Sequence, residues 1–350
     1  MSIVEINNLV KKYGDNVAVN DLSLNIDSKG VYGFLGPNGA GKSTTMNVLT
    51  GYIGATSGTV IINGYDIFKE PEEAKKNVGY LPEIPPLYQD MTVYEYLEFV
   101  SKIKKIKKEE RKACIEQSLE MTRTTEVRER LIRNLSKGYK QRVGIAQAIM
   151  GMPDLIILDE PTVGLDPKQI IEIRDLIRNL GKEHTVILSS HILTEISEVC
   201  ENIFIISQGK LVASGREEEL IEELAGENRI EAIIKGDANE IENILDKFGC
   251  KHSIETLDDE KCKAQIVTSR DIDTREGLFF ALAEKKMPLL ELKFKTKSLE
   301  DLFIELTTEY KAQPKKKGLK FKKKNSEKLD DKNLADNLKN EEKEVQEVEK

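Results

Sequence analysis

The chain has 350 residues and a formal net charge of −8 at pH 7. That length allows two domains of ordinary size and a tail, and the acidic balance makes the chain a poor general binder of nucleic acid, because such binding must neutralise phosphates. The sequence has no apolar run of about 18 residues and no signal peptide, so we expect a chain that neither spans a membrane nor is exported.

Short strand-like runs open the chain and recur along it. In SGTVIINGYDI the dipeptide Asn63-Gly64 suits a type I′ turn, which predicts a β-hairpin. Later apolar runs at 78–81, 155–159, 185–190 and 203–207 lack polar alternation. Continuous apolar strands are typical of a sheet covered on both faces, so this pattern predicts an α/β core.

The periodicity becomes helical between about residues 84 and 150. This stretch includes MTVYEYLEFVSKI, in which Thr92 and Glu95 have the spacing of a capping box. We therefore expect a helical subdomain inserted into an α/β domain that spans residues 1–225.

Two further regions follow that domain. Residues 226–312 contain alternating strand and helix patterns and no catalytic constellation, which predicts a small α/β accessory domain. Residues 313–350 form a charged tail, with seven lysines between 315 and 324 followed by a polar, acidic stretch. This tail has too few apolar residues to form a core, so we predict that it is disordered.

The cysteines point to no special chemistry. They follow neither a CxxC nor a disulfide-framework spacing, which favours reduced, partly buried thiols and predicts no metal site among them. There are four of them: Cys114, Cys200, Cys250 and Cys262.

The segment GFLGPNGAGKSTTMNVLTG gives the strongest chemical signal. Residues 36–43 fit G-x-x-x-x-G-K-[ST] between a strand-like and a helix-like run, which is the placement that a phosphate-binding loop requires. Backbone N–H groups and a helix N-terminus attract anions there, Lys42 would meet the β- and γ-phosphates, and Ser43 would ligate Mg²⁺. The alternative is a glycine-rich structural turn. The predicted nucleotide-binding residues are Gly36, Pro37, Asn38, Gly39, Ala40, Gly41, Lys42, Ser43 and Thr44.

Two adjacent carboxylates end the apolar strand in LIILDEPTVGLDP. Asp159 and Glu160 would therefore lie at the C-terminal edge of the sheet, where α/β folds place their ligand sites. Asp159 would hold Mg²⁺ directly or through water, and Glu160 would polarise an attacking water. Adjacent acids more often mark a solvated loop, but the apolar strand and the upstream loop favour the catalytic interpretation.

A histidine follows another apolar strand in TVILSSHILTEISEV. A histidine at a strand end is more often a structural residue. Here the strand end should meet the same edge of the sheet, so we predict that His191 donates a hydrogen bond to the γ-phosphate.

The stretch LSKGYKQR joins a serine, a glycine and three cationic side chains at a predicted helix start. A hydroxyl, a bare backbone and a helix N-terminus make an anion site. Ser136 can cap the helix as well as bind. From the residues alone it stays open which molecule supplies the anion.

Taken in order, GPNGAGKST, GYLPE, LSKGYKQR, LIILDEP, GLDP and SSH resemble the ATP-binding subunit of an ABC transporter, over residues 1 to about 220. The sequence is most similar to the subgroup of drug-efflux and gliding-motility export ATPases, and residues 229–310 resemble the accessory domain of that subgroup. The resemblance implies a P-loop NTPase fold, bound ATP and Mg²⁺, and an ATPase activity.

The resemblance also implies that two subunits close head to tail around two ATP molecules. The signature turn of one subunit would then contact the γ-phosphate held by the other. In this chain that turn comprises Leu135, Ser136, Lys137, Gly138 and Tyr139, and Lys137 and Tyr139 differ from the commoner LSGGQ.

Three more roles carry over by position. Tyr13 matches the aromatic residue on which adenine stacks, although a surface tyrosine is nearly as plausible. Asp166 matches the residue that links the two sites of the dimer, against the alternative of a helix cap before Pro167. Glu83 occupies the usual glutamine position, where it would reach Mg²⁺ and the attacking water and help couple the subunit to its permease.

We therefore predict an ATP-hydrolysing subunit that drives export through a separate membrane permease, at the cytoplasmic face of the membrane and with no specific nucleic acid. A homodimer is favoured over a heterodimer.

The alternative function is that of a soluble ABC-type ATPase that acts on ribosomes or DNA, although such proteins carry two fused cassettes or a coiled-coil insertion. A third possibility is a P-loop small-molecule kinase or GTPase, but the stretch LSKGYKQR would have no role in such an enzyme. The permease would choose the transported substrate.

Overall fold

The computed structural model describes residues 2–224, 227–258, 260–269, 273–295 and 298–312. The predicted boundary at 225–226 and the tail at 313–350 lie outside these ranges. The described strands are β1 (Val4–Tyr13), β2 (Asn16–Ile26), β3 (Gly30–Leu35), β4 (Ser57–Ile62), β5 (Tyr65–Asp66), β6 (Val78–Leu81), β7 (Leu155–Asp159), β8 (Thr185–Ser190), β9 (Asn202–Ser207), β10 (Lys210–Gly215), β11 (Glu227–Lys235), β12 (Lys251–Asp258), β13 (Lys261–Ser269) and β14 (Leu289–Lys295). The described α-helices are α1 (Lys42–Leu49), α2 (Pro71–Lys76), α3 (Val93–Ile103), α4 (Lys108–Met121), α5 (Lys137–Ile149), α6 (Pro167–Gly181), α7 (Leu193–Val199), α8 (Glu217–Leu224), α9 (Ala238–Asp246), α10 (Arg275–Glu284) and α11 (Leu299–Ala312).

A six-stranded sheet of order β10-β9-β3-β8-β7-β6 forms the centre of the cassette. Its pairs are parallel except for β10, which runs antiparallel to β9 at the edge. Every residue of β3, β7 and β8 is buried, which confirms the predicted α/β sheet with two covered faces. The C-terminal ends of the parallel strands therefore meet along one edge.

A second, antiparallel sheet of order β2-β1-β4-β5 packs against this centre through a shared apolar cluster. Its last two strands form the predicted hairpin. Asn63 has φ 48° and Gly64 has φ 84°, and positive φ at both central residues is the requirement of a type I′ turn.

Between β6 and β7 the chain forms α3, α4 and α5, which share their own apolar cluster. The capping box is confirmed at the start of α3. The Thr92 hydroxyl accepts from the backbone N–H of Glu95 at 3.2 Å, and the Glu95 carboxylate accepts from the backbone N–H of Thr92 at 2.8 Å. These two bonds satisfy N–H groups that the helix start leaves without a partner.

The accessory region is a four-stranded antiparallel sheet of order β12-β13-β11-β14. Its chain order, with α9 and α10 between strands, is the split βαβ arrangement. The predicted alternation of strands and helices was wrong at β12, because β13 follows it directly. That strand is mostly exposed, so it has no apolar run by which the sequence could reveal it.

The last described helix leaves this sheet and returns to the cassette. Leu299 of α11 is buried, and Phe303 packs with it in the apolar cluster that contains Leu220 of α8. The chain therefore contacts the cassette both before and after the accessory sheet. Within the described ranges, no helix combines the length and apolar character that crossing a membrane requires.

Candidate active site

The predicted phosphate-binding loop connects β3 to α1, and two of its glycines are required by close backbone contacts. Gly41 precedes α1 with φ 105°, and a Cβ there would lie 2.5 Å from the carbonyl oxygen of Ala18. A Cβ at Gly36 would lie 2.5 Å from the carbonyl oxygen of Ile206. No larger residue fits either position, so the fold itself selects the glycines that keep the loop backbone bare.

Lys42 lies inside this loop with 5% of its surface exposed. Its Nζ donates to the carbonyl oxygen of Gly36 at 2.7 Å and lies 3.6 Å from Oε1 of Glu160. Burial lowers the pKa of Lys42, while Glu160 and Asp159 oppose that effect. A loop lysine of this kind acts as a point charge toward phosphate oxygens.

Asp159 ends β7 and is the centre of a small oxygen cluster. Its Oδ1 accepts from the Ser43 hydroxyl at 3.4 Å and also from the Ser189 hydroxyl. No group of three or more His, Cys, Asp or Glu able to hold a metal occurs among the described residues. A serine with one carboxylate fits Mg²⁺ nevertheless, because this ion takes few protein ligands and completes its octahedral shell with phosphate oxygens and water.

Glu160 has a backbone conformation that is unusual for a residue with a side chain. Its φ is 49°, in the left-handed region, which costs of order 1–3 kcal/mol for a non-glycine residue. Its backbone N–H donates to Ser189, to the hydroxyl at 3.1 Å and to the carbonyl oxygen at 3.2 Å. This conformation turns the carboxylate toward Lys42 on one side and His191 on the other.

Ser189 was missed by the sequence predictions. It is fully buried and lies opposite Asp159 in the parallel register of β7 and β8, so its hydroxyl contacts the Asp159 carboxylate and the Glu160 backbone together. The available signal was a serine at the end of an apolar strand, two residues before the predicted histidine.

His191 follows β8, and its Nδ1 lies 2.9 Å from Oε2 of Glu160. The structure thus brings His191 together with four other predicted residues: Lys42, Ser43, Asp159 and Glu160. A neutral imidazole carries one N–H, so it cannot donate to both Glu160 and a phosphate. Donation to both requires the imidazolium form.

Two predicted residues lie at the margins of this cluster. Tyr13 ends β1 and is 50% exposed, on the hairpin that leads into the strand containing Ala18. Glu83 is exposed two residues beyond β6, whose last residue, Leu81, pairs with Leu158 of β7. Tyr13 is therefore accessible for stacking, and Glu83 follows the strand end next to Asp159 without a hydrogen bond to any described residue.

The signature turn begins α5. The Ser136 hydroxyl accepts from the backbone N–H of Tyr139 at 3.4 Å, so Ser136 caps the helix as expected. Leu135 and Gly138 are buried, and a Cβ at Gly138 would lie 2.6 Å from Cδ of Gln169. The exposed Lys137 reaches Gly164, where an added Cβ would lie 2.1 Å from the lysine Nζ.

A pocket of about 480 Å³ opens beside this turn. The phosphate-loop residues 36–44 do not line it; the lining residues are Arg123, Thr125, Glu126, Ser136, Gly138, Tyr139, Arg142, Gln169 and Glu172. A hydrogen bond from the Tyr139 hydroxyl to Glu126 holds that ring and raises the pKa of Tyr139. Within one chain, the signature pocket therefore does not include the phosphate loop.

Asp166 caps α6, because its carboxylate accepts from the backbone N–H of Gln169 at 2.9 Å. The capping alternative is thus confirmed for this residue. It is exposed, so the cap leaves one side of the carboxylate free to face another molecule, and the link across a dimer stays a prediction.

Comparison with known proteins identifies the family. The family profile described as "ABC transporter" matches residues 19–163. The chain is 35% identical over 308 residues to the bacitracin transport ATP-binding protein BcrA of Bacillus licheniformis, covering 87% of this chain and 97% of that protein. It is 32% identical to the linearmycin resistance ATP-binding protein LnrL of Bacillus subtilis (strain 168), covering 87% of this chain and 98% of that protein.

Solved structures show the same fold. One structure of the ATP binding subunit of an ABC transporter has a TM-score of 0.58 and 29% identity, covering 63% of this chain and 92% of that one. The dimeric structure of a post-hydrolysis state of the ATP-binding cassette MJ0796, bound to ADP and Pi, has a TM-score of 0.55 and 26% identity, covering 61% of this chain and 98% of that one. The chain therefore belongs to the family of ABC transporter ATP-binding subunits and is an ATPase with a P-loop NTPase fold.

Proposed function

We propose that this chain is the motor subunit of an ABC exporter, in which two copies close head to tail around two ATP molecules and drive a separate membrane permease. This proposal rests on the separation, within one chain, of the signature pocket from the phosphate loop. The pocket beside Ser136 and Gly138 has no lining residue from the phosphate loop. A second subunit that supplies its own loop and phosphates would complete it.

The start of α5 supports this arrangement. Arg123 and Glu126 line the signature pocket, and Arg142 also lines it but pairs with Glu172, which offsets its charge. The helix N-terminus, with Arg123 beside it, favours an anion, and the γ-phosphate of a partner-bound ATP is such a group. Two identical copies related by a two-fold axis would form two identical composite sites, which favours a homodimer over a heterodimer.

Within each site, different residues would have different chemical roles. Lys42 would contact the β- and γ-phosphates once its bond to the Gly36 carbonyl is exchanged. Glu160 would accept a proton from the attacking water, and His191 holds its carboxylate from the other side. Ser43 and Asp159 would hold Mg²⁺, which supplies charge neutralisation at the phosphates when it is bound.

Two relatives support a role in export. The two antibiotic-related proteins named above are described by transport of, or resistance to, the compound, and each aligns along almost its whole length. We propose by analogy that the subunit works at the cytoplasmic face of the membrane, bound to its permease. Tyr13 would stack on adenine, and Asp166 would link the two sites of the dimer.

Purification from detergent-solubilised membranes tests the proposed function. We expect an integral membrane permease to accompany the tagged chain in fixed ratio and to change its ATPase rate on reconstitution. When the Glu160→Gln subunit replaces the parent, that ATP turnover should fall by about 10²-fold or more. If the tagged chain co-purifies with ribosomes or DNA and with no membrane protein, the result would support the alternative of a soluble ABC ATPase.

Replacement of Glu83 by Gln tests its proposed coupling role. A carboxylate ligates Mg²⁺ more strongly than an amide oxygen and repels the γ-phosphate when the metal is absent. We expect Glu83→Gln to keep ATP affinity within a few-fold, to lessen its dependence on Mg²⁺ and to alter stimulation by the permease. Nucleotide titrations with and without Mg²⁺ would measure this, with Glu109→Gln on the exposed face of α4 as a control. If neither property changes, Glu83 is a structural loop residue.

A further inference from the structure

A buried carboxylate lies behind the predicted catalytic histidine. Glu195 is in the first turn of α7, and 5% of its surface is exposed. Its Oε2 accepts from the hydroxyl of Ser190 at 2.7 Å, and Ser190 is itself fully buried. Burying a carboxylate is costly unless its hydrogen bonds are satisfied, so this contact has a specific role in the fold around it.

The Ser190 hydroxyl joins the two residues that flank His191. While it donates to Glu195, it also accepts from the backbone N–H of Ile192 at 3.0 Å. A hydroxyl can donate once and accept as well, so these two bonds are compatible. Together they tie the end of β8 to the start of α7 across His191.

The imidazole needs such support because packing does not provide it. The His191 side chain is 39% exposed, yet its Nδ1 lies 2.9 Å from Oε2 of Glu160. A half-exposed ring keeps its position only if the backbone that carries it is fixed. Catalytic geometry tolerates errors of about 0.5 Å, so a small relaxation of this backbone would separate the two groups.

We propose that Glu195 is a positioning residue: through Ser190 it fixes the backbone on both sides of His191 and so holds the imidazole against Glu160. The carboxylate directs the Ser190 hydroxyl hydrogen away from Ile192, which leaves the oxygen lone pair for the Ile192 N–H. The proposal rests on the catalytic roles proposed for His191 and Glu160.

A double-mutant cycle on the full-length ATPase tests the proposal. We expect Glu195→Ala to lower kcat about tenfold with KM for ATP within about twofold, because a displaced catalytic group slows chemistry more than binding. In the His191→Ala background the same change should lower kcat by less than about twofold, since nothing remains to be positioned. Glu195→Gln keeps an oxygen acceptor for Ser190 and should retain most of the parent kcat.

Glu198→Ala is the matched control on the same helix. Its exposed carboxylate pairs with Arg174, whose side chain is 13% exposed, so the variant also removes a carboxylate contact from α7 but three residues away from Glu195, and we expect the parent kcat. If Glu195→Ala does not fold, Ser190→Ala replaces it in the cycle, because it removes both hydrogen bonds while leaving the carboxylate. Parent kcat in Ser190→Ala or in Glu195→Ala would overturn the proposal.

The cycle separates the failure of this proposal from the failure of the proposed catalytic role. If His191→Ala lowers kcat and Glu195→Ala lowers it by the same factor in both backgrounds, Glu195 acts on stability or elsewhere, and only the positioning proposal fails. If His191→Ala retains the parent kcat, the role of His191 fails and the positioning proposal fails with it.

Discussion

Replacement of Glu160 by Gln is expected to slow ATP hydrolysis by about 10²-fold or more while ATP binding is retained, the scale of losing a positioned general base. Glutamine has the same shape, so it can keep the contact with His191, but its amide cannot accept a proton from water. The backbone at this position has φ 49°, and Ser189 would hold it in the same way in both proteins. ATP should then trap a dimer that the parent protein would release by hydrolysis.

Measurement of this variant needs three readouts: nucleotide affinity, phosphate release and oligomeric state with ATP. The exposed residue Glu183 provides a matched control, because Glu183→Gln makes the same chemical change before the start of β8 and should hydrolyse at the parent rate. If Glu160→Gln hydrolyses ATP at the parent rate in permease-containing vesicles, Glu160 is not the base.

Mixing two inactive variants is expected to restore hydrolysis if the subunits pair head to tail. Lys42→Ala removes the cation of the phosphate loop, and Ser136→Arg fills the signature pocket with a large side chain. In a mixed dimer, the intact loop of the second variant faces the intact turn of the first. One composite site is then wild type, and the other carries both changes.

The experiment compares the mixture with each variant alone at the same total concentration. Activity should rise from background in the mixture only, and it should increase with the fraction of mixed dimers that differently tagged subunits reveal. Mixed dimers that are proven to form and remain inactive would count against the head-to-tail arrangement. Substantial activity of either variant alone would show instead that its mutated residue is dispensable.

The parts of the site that the sequence predicted are those set by local pattern. The loop at 36–43 is contiguous, and the apolar strand that ends at Asp159 can be recognised from five residues. Their convergence at one sheet edge follows from parallel strands. The structure then brings Lys42 within 3.6 Å of Glu160, more than a hundred residues away in sequence, as that reasoning expects.

The parts that were missed depend on register and side-chain direction. Ser189 contacts Asp159 because β7 and β8 pair in one particular alignment, and no local pattern specifies that alignment. The left-handed backbone of Glu160 is also invisible in sequence, where such a conformation is expected at glycine. Likewise, β12 has no apolar run, because most of its side chains face solvent.

Because α11 returns to the cassette, the accessory sheet is attached to the cassette at both its N-terminal and its C-terminal end. Leu299 and Phe303 cover Leu220 of the cassette, so a fragment cut after α8 would expose apolar surface that the full chain buries. A segment attached at two points cannot swing about a single linker. Because α11 packs against β9, two strands from β8 in the central sheet, a displacement of α11 by the accessory sheet would act on the same sheet that positions His191.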